Sequence, residues 1–386
     1  MYGIEAAYCN AGIQAALFSA QNVLEARVED LVEFTRGYGK GDTLGMDAIP
    51  EQVIHARLVK FNPRIRLITE ELGKDWKDSD LPSPPVVCIS DPTDRSAFLK
   101  DFLERLGLEA RNRKFKDILS EEGMSQKWER ECKGGPALIS GATTAITGIR
   151  EGNPFFNVTV NYITQHIFVA CQAGVRMFKI NSWRTSDLEQ ITLELILQQG
   201  EKITFTKEAP KEFDDSMRYY TFLGKSGYPE NLEKAKIFLS GGDENLIYGE
   251  PGGPTRILYL SSLYEESPVG FILANGEKIS EWIHWLPYVA ASIQDGSPLR
   301  VFEIAFEEPL MRNGLLMATS PEYSIFSIDN TGTCRINIAK IRDFPNPSQY
   351  RATLVVAPEN NEWIATRMEG HGYRRLTFRF PDESGM

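Results

Sequence analysis

Ser90-Asp91-Pro92-Thr93-Asp94-Arg95-Ser96 follows the apolar run Val86-Val87-Cys88-Ile89 and precedes a stretch with apolar residues at helical spacing. The order reads as a strand, a tight acidic turn and a helix start. Branched apolar residues favour the strand, Asp and Pro favour the turn, and Ser suits a helix N-terminus. The turn sets two carboxylates and a hydroxyl beside the first N–H groups of a helix, which have no partners inside it. Hard carboxylate oxygens suit a divalent cation, and the N–H groups suit an anion such as phosphate. Upstream, Glu70-Glu71 closes a second short apolar stretch, residues 64–69, and adds further carboxylate.

Outward from this unit, residues 4–35 carry Ile13, Leu17, Ala20, Val23, Leu24, Val28 and Leu31 at three- and four-residue steps, which predicts a helix. A Gly-rich stretch, 37–41, ends it. Asp47 stands just ahead of a predicted second helix, 49–61, with Pro50 in its opening turn and Asn62-Pro63 as its stop. Residues 75–85 read as a charged, Pro-rich surface loop. Residues 107–135 are dense in Lys, Arg and Glu and read as an exposed helical insertion or a mobile lid. From Ala142 the pattern alternates, predicting strands at 143–150, 153–162 and 166–172, with 190–199 and 202–206 extending the strand-rich part. Residues 236–239 read as a strand, Gly252-Gly253-Pro254-Thr255 as the opening of a helix to Leu263, and 281–293 as a helix with Pro287 near its middle. Residues 334–380 read as an appended β-unit.

Bulk properties limit the function. The 386 residues are 42% hydrophobic, enough for more than one domain. A formal charge of −11 leaves no basic field for a nucleic-acid backbone. No apolar stretch is long enough to span a bilayer, and the first residues lack a signal-peptide pattern, so a cytoplasmic protein is expected. The five cysteines are scattered and the four histidines form no H-E-x-x-H, which disfavours a disulfide scaffold or a zinc hydrolase. Gly224-Lys225-Ser226 is no phosphate loop, because Tyr219 occupies the place of the required earlier glycine. Taken singly, each acidic motif has a plain alternative: Asp91-Pro92-Thr93-Asp94 a turn and cap, Glu70-Glu71 a solvated pair, Asp47 an N-cap.

Taken together, in this order, they resemble the inositol monophosphatase-like family of magnesium-dependent, lithium-sensitive phosphatases. Asp47 matches the family's Asp near its second helix, Glu70-Glu71 its strand-end pair, and Asp91-Pro92-Thr93-Asp94-Arg95-Ser96 its D-P-[IL]-D-G-[TS] signature. Residues 142–150 and 154–160 match the hairpin behind that signature. The resemblance implies a layered α/β fold, an αβαβα sandwich of the sugar-phosphatase type, with an extra β-rich C-terminal extension. It suggests an N-terminal α+β domain at 1–223, a smaller α/β domain at 224–330 and the extension at 331–386.

The implied chemistry is hydrolysis of a small phosphorylated sugar, polyol or nucleotide by metal-activated water. Mg2+ would be held by Glu70, Asp91, Thr93 through its carbonyl, and Asp94. Asp47 and Ser96 would orient and deprotonate the water, and the N–H groups of Arg95, Ser96 and Ala97 would cradle phosphate. The family's habit of pairing implies a homodimer, with no nucleic-acid or membrane partner. Two residues depart from the pattern. Arg95 replaces the signature glycine, whose lack of a side chain allows close phosphate approach; its guanidinium either blocks that approach or binds the phosphate. The later W-D-x-A-A-G is represented by Trp285-Leu286-Pro287-Tyr288-Val289-Ala290-Ala291-Ser292, with Leu286 where an Asp completes the second metal site; Glu281 is the nearest upstream acid. These departures keep open an alternative: a degraded pseudophosphatase that binds a ligand or partner without turnover.

Overall fold

The computed structural model describes residues 3–35, 43–74, 86–132, 135–205, 218–222, 246–248, 253–264, 269–275, 282–306, 320–341, 351–370 and 372–380. Three helices open the chain: α1 (Ile4–Glu25), α2 (Val28–Val32) and α3 (Gly45–Phe61). An eight-stranded mixed sheet follows, from β1 (Ile65–Thr69), β2 (Gly73–Lys74), β3 (Val86–Asp94), β4 (Thr143–Arg150), β5 (Asn153–Asn161), β6 (His166–Cys171), β7 (Gly174–Lys179) and β8 (Glu201–Ile203), in the order β2-β1-β3-β4-β5-β6-β7-β8. Between β3 and β4 lie α4 (Ser96–Arg105), α5 (Phe115–Leu119), α6 (Met124–Cys132) and α7 (Ala137–Ser140); between β7 and β8 lie α8 (Thr185–Leu188) and α9 (Leu193–Gln199).

The second half of the chain builds a six-stranded sheet. Its strands are β9 (Arg218–Phe222), β10 (Leu246–Tyr248), β11 (Val269–Asn275), β12 (Leu299–Phe306), β15 (Arg351–Pro358) and β16 (Arg374–Leu376), ordered β10-β9-β11-β15-β12-β16. A separate hairpin joins β13 (Phe326–Ile328) to β14 (Cys334–Ile336). Among the described residues, the remaining α-helices are α10 (Leu286–Gln294) and α11 (Glu362–Gly370).

The layers follow from which faces are apolar. Helix α1 buries Ile13, Leu17, Ala20 and Leu24 against α3 and the β4–β5 face of the first sheet. Helix α10 is apolar all round and lies between the two sheets, touching β5, β6, β7 and β12. Helix α11 closes the far side, packing Ile364, Ala365 and Met368 with Phe271, Phe302 and Val355. The result is an αβαβα sandwich. Its C-terminal β elements are woven in: β15 runs between β11 and β12 in the middle of the second sheet.

Several expectations shift. Helix α3 begins at Gly45, so Asp47 lies inside its first turn. An added Cβ at Gly45 would sit 1.8 Å from the Asp30 carbonyl oxygen, which explains the glycine where α2 crosses the helix start. The segment read as strand at 190–199 is helical from Leu193, because Thr192 accepts a hydrogen bond from the Leu195 N–H (3.2 Å) and starts a helix whose Leu193 and Ile196 are buried. The basic insertion is packed in place: Phe115 and Trp128 are fully buried, and Lys114 and Lys116 pair with Glu25 at 2.7 and 2.5 Å. Gly253 opens a turn into a short 3-10 helix, Arg256–Leu260, that is wholly buried, and Pro287 sits in the first turn of α10. The Gly-rich stretch 37–41, the loop 75–85, Gly224-Lys225-Ser226, residues 236–239, Gly252 and Glu281 lie outside the described residues.

His166 starts β6 directly opposite Lys179 of β7. Burial chiefly, then the Lys179 charge, pushes its imidazole down to about 4, against a smaller upward pull from a hydrogen bond with the Thr164 backbone. The unfolded chain takes up this proton near pH 6.5 and the folded one only near 4, so stability falls as pH drops through that window. In urea titrations at pH 7 and pH 4.5, wild type is expected to lose more stability than His166→Gln. Equal losses in the two proteins would refute this assignment.

Candidate active site

The site lies where β1 ends and its pairing with β3 stops. They run parallel with Thr69 opposite Ser90, so Glu70, just past β1, and Asp91, on β3, are the next residues along. Against β4, Asp91 is opposite Ala145 and Asp94 is opposite Thr143. Three steps on β3 thus match two on β4, and the surplus residue makes a β-bulge at Pro92–Thr93. Side chains alternate along a regular strand, so residues three apart would face opposite ways. The bulge returns Asp94 to the face of Asp91. Proline is tolerated there because a bulge breaks the ladder.

The bulged carbonyl is fully used. Pro92 O accepts the Thr144 hydroxyl at 2.7 Å and the Tyr162 hydroxyl at 3.1 Å. The Thr144 and Tyr162 hydroxyl oxygens also lie against each other. Burial holds the Tyr162 phenol well above its ordinary range, and nearby Asp47 and Asp91 push the same way, so it remains a donor.

Thr93 ties the turn to α3. Its hydroxyl donates to the Met46 carbonyl at 2.5 Å. That carbonyl would ordinarily accept from the N–H four residues on, which is position 50. Pro50 has no N–H. The proline within α3 therefore leaves Met46 O for Thr93, and Asp47, the next residue, is fixed 7% exposed beside the turn. The acidic pair is braced similarly: the Thr43 hydroxyl bonds Glu71, and buried Glu51 accepts the Leu72 N–H at 3.2 Å.

Asp94 has a different environment. It accepts a backbone hydrogen bond from Gly253, and the charges of Arg95, Arg256 and Glu70 act on it. Burial dominates and pushes its carboxyl up to about 6, while Arg95, the Gly253 N–H and Arg256 pull it back and Glu70 adds to the rise. Arg95 caps α4 in the left-handed region, φ 65° and ψ 28°. Glycine reaches that conformation freely, whereas a side chain there costs roughly 1 kcal/mol. The Arg95 guanidinium donates to the Ser140 carbonyl and lies 4.6 Å from the Phe98 ring centroid and 5.9 Å from that of Trp128. Trp128 donates to the same carbonyl at 3.2 Å. Ser96 and Ala97 form the first turn of α4, Ser96 half-buried and Ala97 exposed.

The structure thus gathers Asp47, Glu70, Asp91, Thr93 and Asp94 at one end of the first sheet. Among the described residues, no three His, Cys, Asp or Glu side chains close on a common metal position. Leu286, where the family motif has an acid, is 2% exposed in α10. His284 is packed inside, with Nδ1 2.7 Å from the Thr147 hydroxyl. Sequence reasoning missed Tyr162, Thr144 and Arg256. Pro50 inside a helix was the available signal for the Met46–Thr93 link; nothing in the sequence marks Tyr162 or Arg256.

No family model matches the chain, and no curated protein matches it. Solved structures do. Extragenic suppressor protein suhB from Bartonella henselae is 12% identical, with 94% of this chain and 97% of that one covered at a TM-score of 0.49. CysQ from Bacteroides thetaiotaomicron, a bacterial member of the inositol monophosphatase family, is 12% identical over 92% and 98%, with a TM-score of 0.48. Inositol monophosphatase from Anabaena is 10% identical over 94% of each chain, with a TM-score of 0.48. These are likenesses of chain path. Among the described residues, no helix is long and apolar enough to cross a membrane.

The Pro50–Met46–Thr93 arrangement makes a testable cycle. Thr93→Val keeps the shape but removes the donor, leaving a buried carbonyl short of a partner at a cost of about 1–3 kcal/mol. In a Pro50→Ala background the new N–H serves Met46 O, and the same change should cost clearly less. Urea unfolding of the four proteins measures the coupling; equal costs in both backgrounds would show that Met46 O does not depend on Thr93.

Proposed function

We propose that this protein is a phosphomonoesterase related to the inositol monophosphatases, acting on a small phosphorylated sugar, polyol or nucleotide with a single magnesium ion. The observation that carries this reading is the strand register, which sets Glu70 and Asp91 side by side while the bulge turns Asp94 to the same face. Mg2+ commonly binds through one or two carboxylates and keeps several waters. The donor set therefore fits one hydrated ion, held by Glu70, Asp91 and the Thr93 carbonyl. It does not fit a pair, since Leu286 offers no oxygen and two arginine charges act on Asp94. When bound, the ion would polarise a phosphoryl oxygen.

The remaining roles belong to the chain. Asp47, fixed through Met46 and Thr93, would accept the proton of an attacking water that the Ser96 hydroxyl orients. The N–H groups of Arg95, Ser96 and Ala97, in the opening turn of the ten-residue α4, would bind the non-reacting phosphate oxygens. Tyr162 holds the bulge and carries no part of the proton transfer.

A second reading has its own support: a binding protein that keeps the fold without turnover. Buried Leu286 and the absence of a three-acid cluster among the described residues favour it. One experiment separates the two. Purified protein with Mg2+ is offered a panel of phosphomonoesters, and inorganic phosphate release is followed. Under the first reading release occurs and falls at least about a hundredfold in Asp91→Asn, as loss of several kcal/mol of charge stabilisation implies. Binding of a phosphomonoester without release would support the second reading and overturn the first.

A further inference from the structure

Thr143 is fully buried, and its hydroxyl oxygen has no hydrogen-bond partner among the described residues. It stands directly opposite Asp94, where β4 pairs with the end of β3. Opposite residues in an antiparallel ladder share a face, with Cβ atoms roughly 4.5–5.5 Å apart. Asp91 is opposite Ala145, two residues along β4, so Asp91, Asp94 and Thr143 face the same side of the first sheet. Asp94 Oδ2 is likewise buried without a hydrogen bond among the described residues. Elsewhere on that face the polar groups are matched within the protein. Thr147 Oγ1 lies 2.7 Å from His284 Nδ1 and accepts from Asn157 at 3.1 Å. The Thr159 hydroxyl donates to Asn157 at 2.9 Å, and Asn161 donates to Ala137 O at 2.9 Å. On the other face, the Thr144 hydroxyl is taken by Pro92 O at 2.7 Å.

We propose that Thr143 is a positioning residue of the acidic pocket, whose hydroxyl accepts a hydrogen from a water carried by the divalent ion. A buried hydroxyl without a partner destabilises a fold, and such a group persists where a bound water, ion or ligand completes it. Mg2+ keeps several of its waters when bound. Among the described residues no three His, Cys, Asp or Glu side chains close on one metal position, so the acids alone do not replace that shell. Waters on a divalent cation are polarised donors and need acceptors in a buried pocket. Thr143 offers one from the strand beside the acids. Its backbone is paired on both sides, to Asp94 on β3 and to Asn161 on β5, and its branched side chain has few rotamers. The oxygen is therefore held on a rigid element before the ion arrives. This inference rests on the magnesium-dependent reading above for the presence of the ion.

The test compares full-length wild type, Thr143→Val, Thr143→Ser and Thr147→Val, with Mn2+ as the probe. Titration calorimetry gives ion affinity, and urea unfolding without metal gives stability. Thr143→Val is expected to bind Mn2+ about tenfold more weakly, the loss of one hydrogen bond to a charged group, while its urea midpoint stays at or above that of wild type. Thr143→Ser, which keeps the hydroxyl, should restore most of the affinity. Thr147→Val, which breaks an internal link, should show the reverse: a lower urea midpoint and near wild-type affinity. A Thr143→Val protein with wild-type affinity, or a Thr143→Ser protein that binds no better than Thr143→Val, would overturn the proposal. So would a loss of stability in Thr143→Val as large as in Thr147→Val, or its failure to fold, since either shows that the hydroxyl serves the fold itself. No Mn2+ binding by wild type would refute the magnesium-dependent reading and this inference with it, whereas binding that Thr143→Val leaves unchanged refutes this inference alone.

Discussion

The β-bulge at Pro92–Thr93 is the constraint on which the site depends. Without it Asp91 and Asp94 would face opposite sides of β3 and could not serve one pocket. A bulge exposes backbone groups that a regular ladder would satisfy, and inside a protein each must find a partner. Here Thr144 and Tyr162 take the Pro92 carbonyl, and the Thr93 hydroxyl reaches the carbonyl that Pro50 cannot serve. Two irregularities, one in a strand and one in a helix, are thereby satisfied together. The link also sets the distance between the acidic turn and Asp47, because both partners belong to short, rigid segments.

Charge burial is the second consideration. Asp47 and Asp91 are buried and Asp94 is half-buried at the same end of the sheet, which is costly for ionised carboxylates. Burial wins at Asp94, whose carboxyl is pushed upward even though two arginines and a backbone N–H act against the rise. Arginine is suited to this position because it stays charged at any accessible pH and stacks on aromatic faces, as Arg95 does on Phe98. The glycine that usually permits a left-handed cap has thus been exchanged for a residue that costs backbone energy and returns charge.

Much of this was legible in the sequence. The strand before Asp91 was plain from its apolar run, and β4 matches its alternating pattern end to end. The acidic turn, the Glu70-Glu71 strand end and the first turn of α4 fell where short-range preferences put them. Legibility failed where distant segments decide. Residues 193–199 hold enough Leu and Ile to suit either a strand or a helix, and the Thr192 cap with a buried face settles it. Thr353, Leu354 and Val355 in β15 look like any strand, and nothing local says that they sit at the centre of the second sheet rather than in an appended unit. Arg256 stands between the turn Gly253-Pro254-Thr255 and the apolar run Ile257-Leu258 in the sequence. Its role exists only because the turn at Gly253 docks against Ile139 and Trp285.

That last point bears on how such a pocket changes its chemistry. The acids sit at strand ends and in a helix start, positions fixed by register and by the Pro50–Thr93 link. Of the charges that oppose those acids, Arg95 comes from the α4 cap beside Asp94 and Arg256 from the 253–256 turn. Altering the acids would disturb the bulge, the helix start and the layer beneath them. Exchanging Asp for Leu at 286, or placing a guanidinium at 256, changes the charge balance while leaving the strand register untouched. The strand register can therefore persist while the charge acting on the acids changes.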